Sequence, residues 1–368
     1  QIMFKFPIYK YPITFVNVEK DISNERSKSF IFGSKQNERI QILRNYDPLT
    51  EVSENDRILL WKSRDKLFQY PNLLPMVLDA ANYADPDQVT DIPLLLKSWA
   101  PLSPTNALIL LDSKYADQNV RQYAIERLKD FSDNEIRLYL LQLVQALKYE
   151  LYDDSPLVHF IISRGVAEPK FLGHQIFWQL MSEAHLSHIR PRFSKILVNF
   201  IQGLGRYRDE LLKGYQFTKQ FVEINHEIEP MNSEEATQYL RKRLQSVEIP
   251  EEFHLPMDPR LIVKSFIIDK CKVMNSKKKP FWLTFENASQ YATGPVQTMF
   301  KVGDDLRQDQ LTLQVMSVME HLWRENGIDL HMNCYGILPT GLNQGFIEVV
   351  PNSITEAEIG RASCRERV

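Results

Sequence analysis

Lys301-Val-Gly-Asp-Asp-Leu-Arg-Gln-Asp-Gln-Leu-Thr-Leu-Gln314 is the stretch whose reading decides the fold. The apolar run Thr298-Met-Phe300 leads into the lysine, so Lys301 reads as the end of a strand. Gly-Asp-Asp then reads as a turn, since Gly tolerates unusual backbone angles and Asp suits both turns and helix starts. Apolar residues next recur at helical spacing, which predicts a helix over 309–325. A compact ammonium on a strand, with a helix packed behind it, suits a phosphate chain.

Working outward, the chain has 368 residues, a net charge of -3, 43% hydrophobic and 25% charged residues. These are the proportions of a soluble globular protein of two or three domains. No window approaches the run of about 20 apolar residues that a membrane-spanning helix needs. Gln1-Ile-Met-Phe-Lys5 lacks the layout of a signal peptide and reads as an internal cut. Cys271, Cys334 and Cys364 have neither disulfide-framework nor metal spacing, which points to a reducing compartment. Near-neutral charge argues against general nucleic-acid binding. His185 and His188, with His174 nearby, lack further ligands at metal spacing and read as surface residues.

Residues 1–18 alternate as a strand, with Pro7 and Pro12 implying an edge. Residues 19–46 are polar and read as a linker. Helical patterning then runs over 47–222. Ser132-Asp-Asn-Glu135 is a capping box before an apolar stripe of Ile136, Tyr139, Leu140, Leu143, Val144 and Leu147. Asp117 opens another helix and Ser155-Pro156 the next, with Gly165 placed as its C-cap. Further helices are predicted over 171–183, where Phe177 and Trp178 are core residues, and over 191–202. Short helices in succession suggest a helical-pair solenoid. Residues 223–258 are charged and proline-broken, a second linker. Beyond them, strands are predicted over 261–268, 271–274, 281–285, 296–300, 330–335 and 345–350, a small sheet with one helix behind it.

Four pieces now stand in order: the polar turn Val273-Met-Asn-Ser-Lys-Lys-Lys-Pro280, Lys301 with Gly-Asp-Asp-Leu-Arg-Gln-Asp309, Tyr335-Gly336, and Ile347-Glu-Val-Val350. Together they resemble the N-lobe of phosphoinositide 3-kinase catalytic subunits. Asp47-Pro-Leu-Thr-Glu51, Leu59-Leu-Trp61 and Leu141-Gln-Leu-Val-Gln145 resemble the helical domain of the same proteins, and Gln308, Tyr335-Gly336 and Glu348-Val-Val350 favour class I lipid kinases. The resemblance implies a multidomain, mainly α chain. A C2-type remnant (1–18) and a linker (19–46) would precede a helical domain (47–222), followed by a second linker (223–258) and an α+β kinase N-lobe (259–359). Residues 360–368 have no counterpart in the pattern and read as foreign sequence joined to a truncated frame.

The resemblance also implies an ATP site. Lys301 would meet the phosphates and Ser276 would reach them from the turn, while Asp309 and Tyr335 would meet at the back. Met274, Trp282, Met299 and Ile347 would pack the base. The segment Glu348-Val349-Val350 would meet the adenine edge through the Glu348 carbonyl and the Val350 N–H. Asp304 and Asp305 read as turn and cap residues, and Glu320 is not expected to pair with the lysine. Lys277-Lys-Lys279 reads as a solvated hairpin tip, the alternative being a role near the γ-phosphate or an anionic membrane. Glu51 and Glu54 read as a solvated helix start or, by the resemblance, as the face for an SH2-containing regulatory subunit. A small GTPase would engage an upstream domain, and the protein would be cytoplasmic with peripheral recruitment to phosphoinositide membranes. The family's Asp-Arg-His-x-x-Asn and Asp-Phe-Gly strings, which supply catalysis and Mg²⁺ ligands, do not occur here. No catalytic or metal residue is therefore assigned, and the chain is expected to be either an inactive fragment of a lipid kinase or a helical scaffold for a regulatory subunit.

Overall fold

The computed structural model describes residues 33–250, 252–289, 294–351 and 353. The expected C2-type remnant and the 360–368 tail lie outside them. The described chain forms two compact units: residues up to Glu135 with Gln145–Phe160, and Ile136–Val144 with the chain from Ile161 onward.

The first unit holds α1 (Ser34–Leu43), α2 (Glu54–Leu67), α3 (Leu74–Ala80), α4 (Pro86–Ser98), α5 (Pro104–Ala107) and α6 (Gln118–Leu128), with parts of α7 (Asp133–Ala146) and α8 (Pro156–Ala167). Ser53, Asp85, Ser103 and Asp117 each accept a backbone N–H at a helix start. These bonds satisfy donors that a helix end otherwise leaves open. The Ser132–Glu135 capping box forms in both directions. Its apolar stripe packs as expected, with Ile136, Leu140, Leu143, Val144 and Leu147 buried. Arg121 of α6 is buried because Glu150 and the carbonyls of Leu111, Asp112 and Tyr115 take its N–H groups.

The second unit joins α9 (His174–Glu183), α10 (Arg190–Gly203), α11 (Tyr207–Glu227) and α12 (Ser233–Leu244) to an antiparallel sheet. Its strands are β1 (Phe253–His254), β2 (Ile262–Phe266), β3 (Lys272–Val273), β4 (Phe281–Asn287), β5 (Val296–Val302), β6 (Ile337–Gly341) and β7 (Gln344–Glu348). The order is β1-β2-β4-β5-β7-β6, with β3 also on β4, and α13 (Arg307–Glu325) connects β5 to β6. Phe281, Phe300, Phe346 and Leu338 form one cross-strand row. Phe217 and Phe221 of α11 pack on this face, with Phe221 ring centroids 5.3 Å from Phe300 and 6.1 Å from Phe346. His174 is buried at the start of α9 and donates through Nε2 to the Pro256 carbonyl at 2.6 Å. Burial holds its pKa down to about 4, so it is neutral and is no surface residue.

The structure corrects several expectations. Both linkers carry helices: α1 within 19–46, and the end of α11 and all of α12 within 223–258. Each has few apolar residues, but they fall on one face: Ile40 and Leu43 in α1, and Ala236, Leu240 and Leu244 in α12. The strand expected over 330–335 does not form. His331 adopts a left-handed φ of 51°, and pairing with β7 starts at Ile337. Gly165 is no C-cap, since α8 continues to Ala167. A Cβ there would lie 2.7 Å from Ile176 Cδ1 and 2.8 Å from Phe200 Cε2, so the glycine lets α9 and α10 approach α8. Gly165→Ala should cost about 1–3 kcal/mol through overpacking, read as a lower urea midpoint. An unchanged midpoint would refute the close approach.

Candidate functional site

The period of two in β5 divides its side chains between two uses. Phe300 points to the phenylalanine layer, while its neighbours Met299 and Lys301 point to the other face. Met299 lies between Trp282 on β4 and Ile347 on β7, and Ile347 is opposite Ile337 on β6. All four are half-buried. The structure thus brings Trp282, Met299 and Ile347 into one apolar row, with Lys301 two residues beyond it along β5.

The Lys301 side chain is 29% exposed, and its Nζ lies 3.5 Å from Asp304 Oδ2. Gly303, at φ 96°, makes the turn and donates its N–H to the Asn343 carbonyl at 2.7 Å. A Cβ at Gly303 would meet only the end of the exposed Lys278 side chain, which can move aside, so the position needs glycine for its backbone conformation. Asp305 accepts the Arg307 backbone N–H, which agrees with its reading as a helix-start residue. It also accepts Arg307 Nε and Nη2 at 2.9 and 2.8 Å. These bonds lower the Asp305 pKa and raise that of Arg307. Glu320 pairs with Arg324, one turn along α13.

The β3–β4 turn carries Met274, half-buried, and Ser276, exposed. It is closed by Met274 N–H to Pro280 O and by Lys279 N–H to Ser276 O. Lys277 and Lys278 are exposed, but Lys279 is not a solvated tip. Its ammonium donates to the carbonyls of Ile228 at 3.1 Å, Glu229 at 2.7 Å and Met231. A helix C-terminus presents carbonyls without intrahelical donors, and a cation is favoured there. This pairing of a turn lysine with a helix end about fifty residues away leaves no local trace in the sequence.

Asp309 and Tyr335 are both exposed, and no hydrogen bond joins them among the described residues. Tyr335 lies in the unpaired chain before β6. Glu348, at the end of β7, accepts the Gly336 N–H through its carboxylate at 2.6 Å and donates its own N–H to the Gly336 carbonyl. Val349 and Val350 follow, both half-buried. Within the first unit, Glu51 and Glu54 are exposed at the start of α2. Sequence reading missed Asp56 beside them. It is buried, takes Arg39 Nε and Nη2 at 2.8 Å each, and accepts the Ser53 hydroxyl. An open groove of about 470 Å³ between α4 and α6, lined by Pro93, Trp99 and Tyr123, includes none of these residues.

The family description "Phosphoinositide 3-kinase family, accessory domain (PIK domain)" matches residues 28–213. The chain belongs to the phosphoinositide 3-kinase family. A second description, "Phosphatidylinositol 3- and 4-kinase", matches residues 295–368, a range that takes in the tail set apart above. Phosphatidylinositol 3-kinase 2 of Dictyostelium discoideum is 41% identical over 324 residues, covering 88% of this chain and 17% of that protein. Phosphatidylinositol 3-kinase 1 of the same organism is 34% identical over 362 residues, covering 97% and 23%. Phosphatidylinositol 3-kinase 3 is 35% identical over 367 residues, covering 97% and 22%. The chain therefore spans about a fifth of these phosphoinositide 3-kinase relatives. Membership accounts for the helical region followed by a kinase-type N-lobe sheet, and it makes the family a transferase family.

The Arg39 hydrogen bonds hold the Asp56 carboxyl down to about 2. Its folded value lies below the unfolded one, about 3.9, so its contribution is full above that pH and is lost as pH falls through about 2. Asp56→Asn should flatten the acid-unfolding curve between about pH 4 and pH 2, followed by circular dichroism. Identical slopes in both proteins would refute this assignment.

Proposed function

We propose that this chain carries the nucleotide-holding lobe and helical domain of a lipid kinase that transfers the γ-phosphate of ATP to the inositol 3-hydroxyl of a phosphoinositide. The observation that carries the reading is the row Trp282–Met299–Ile347 with Lys301 beyond it, on the sheet face that α11 leaves uncovered. A flat purine needs an apolar slot, and a triphosphate needs a compact cation at its end. In this reading Lys301 exchanges its partner Asp304 for phosphate oxygens, and Ser276 adds a hydroxyl from the turn. Met274 packs beside the row. The Glu348 carbonyl and Val350 N–H meet the adenine edge, with Val349 between them, and Asp309 and Tyr335 close the back when ligand is bound.

Mg²⁺ would neutralise charge on the phosphates when bound. The described residues include no cluster of three carboxylate, His or Cys side chains that could hold it. The helical module at 47–222 and the lobe at 259–359 are our proposed domain limits, joined by α12. Exposed Glu51 and Glu54 suit an SH2-containing regulatory subunit, and a small GTPase would act through an upstream domain. Among the described residues no helix is long and apolar enough to cross a membrane, and we assign the protein to the cytoplasm with peripheral recruitment to lipid. A second reading, a non-catalytic scaffold for the regulatory subunit, rests on the same acidic start of α2.

An ATP acyl-phosphate probe, which acylates a lysine amine lying at the phosphates, should modify Lys301 and be blocked by excess ATP. Modification spread over exposed lysines without competition would refute the nucleotide site. The chain alone should give no turnover with phosphatidylinositol vesicles, ATP and Mg²⁺. Turnover that Lys301→Ala abolishes would overturn its inactivity and the scaffold reading together.

A further inference from the structure

The turn after Lys301 is fastened at a point that the nucleotide reading does not use. Arg307 is the first residue of α13. Two of its N–H groups clasp Asp305, and the third arm, Nη1, lies 3.3 Å from Oε1 of Glu183. Glu183 ends α9, and its side chain is only 5% exposed. Phe177, Trp178 and Leu180 of the same helix are buried, so Glu183 stands on a rigid support. One guanidinium therefore links a buried helix end to a turn carboxylate that lies four residues from Lys301.

Beyond its contact with β6 and the buried Leu306 at its N-terminal end, α13 is only partly covered. Of its 19 residues only Leu313 is buried. Leu311, Val315, Met319 and Leu322 are exposed. Gln314 makes a second polar anchor and donates to the Leu138 carbonyl of α7 at 2.7 Å. Arg307 and Gln314 are seven residues apart, two helical turns, and so share one face of α13. When apolar burial is this sparse, directional polar anchors set the position of a helix.

We propose that Arg307 is a positioning residue, which transmits the rigidity of α9 through Glu183 and Asp305 to the turn that carries Lys301. This rests on the nucleotide reading for its purpose, and on the Asp305–Arg307–Glu183 geometry for its substance. Arginine is required because one planar fork must serve two carboxylates, and a lysine ammonium cannot clasp Asp305 with two arms while reaching Glu183. Glutamate suits 183 because a buried carboxylate there, 5% exposed, needs a cationic donor, and the half-buried Arg307 arm supplies one.

The test is hydrogen exchange on the full chain, read by mass spectrometry for the amides of 303–310 and of the α9 interior. Arg307→Met should raise exchange in 303–310 by about tenfold or more and leave Phe177–Leu180 unchanged. Glu183→Gln should act in the same direction, and the double variant should be no worse than Arg307→Met alone, because both remove one interaction. Arg307→Lys keeps the charge and should recover only part of the protection, which also gives a readout if the methionine variant fails to fold. A plain amine reagent should modify Lys301 faster in each variant. Unchanged exchange at 303–310, additive effects of the two substitutions, or an equal rise throughout α9 would each overturn the proposal. Failure of the nucleotide reading shows separately, as absent ATP competition at Lys301 in the unsubstituted chain.

Discussion

Six phenylalanines set the geometry on which the lobe depends. Phe217 and Phe221 come from α11, and Phe281, Phe285, Phe300 and Phe346 come from three strands, all buried. Burying each such ring contributes roughly 1.5–3 kcal/mol, and tilted or edge contacts between the rings add to it. Because side chains alternate along a strand, committing Phe300 and Phe346 to the helix commits Met299, Lys301 and Ile347 to the opposite face. The candidate site is thus the reverse side of the core. Its residues need not be adjacent in sequence, since cross-strand register aligns them.

The turn after β5 carries the charge balance of that face. Lys301 faces Asp304, while Asp305 belongs to Arg307. Two adjacent carboxylates are thereby given different partners, one cation inside the site and one at the helix start. Left-handed Gly303 makes this division possible, because it reverses the chain between the lysine and the two acids.

Local chemistry was legible in the sequence and remote chemistry was not. The capping box at Ser132–Glu135, the Asp117 cap and the lysine–turn–helix order each depend on residues a few positions apart. The row Trp282–Met299–Ile347 was legible through the resemblance, which named its members without their register. α1 and α12 were read as linker because their charged faces outweigh two or three buried apolar residues. Lys279, Asp56 and His174 were misread or missed because each has a partner far along the chain: the end of α11, Arg39 and Pro256. Gly165 looked like a stop signal, and only the packing of Ile176 and Phe200 against it shows that it is a gap.

Among the described residues the sheet order leaves β1 and β6 at its outer margins, with the two-residue β3 also paired on β4. β1 is two residues long, and β6 contains Pro339, which has no N–H to donate. A neighbouring molecule seeking to extend the sheet by strand addition would find one margin too short and the other broken in mid-run. The lobe can therefore keep an open apolar row on its face without offering its margins as a template for polymerisation.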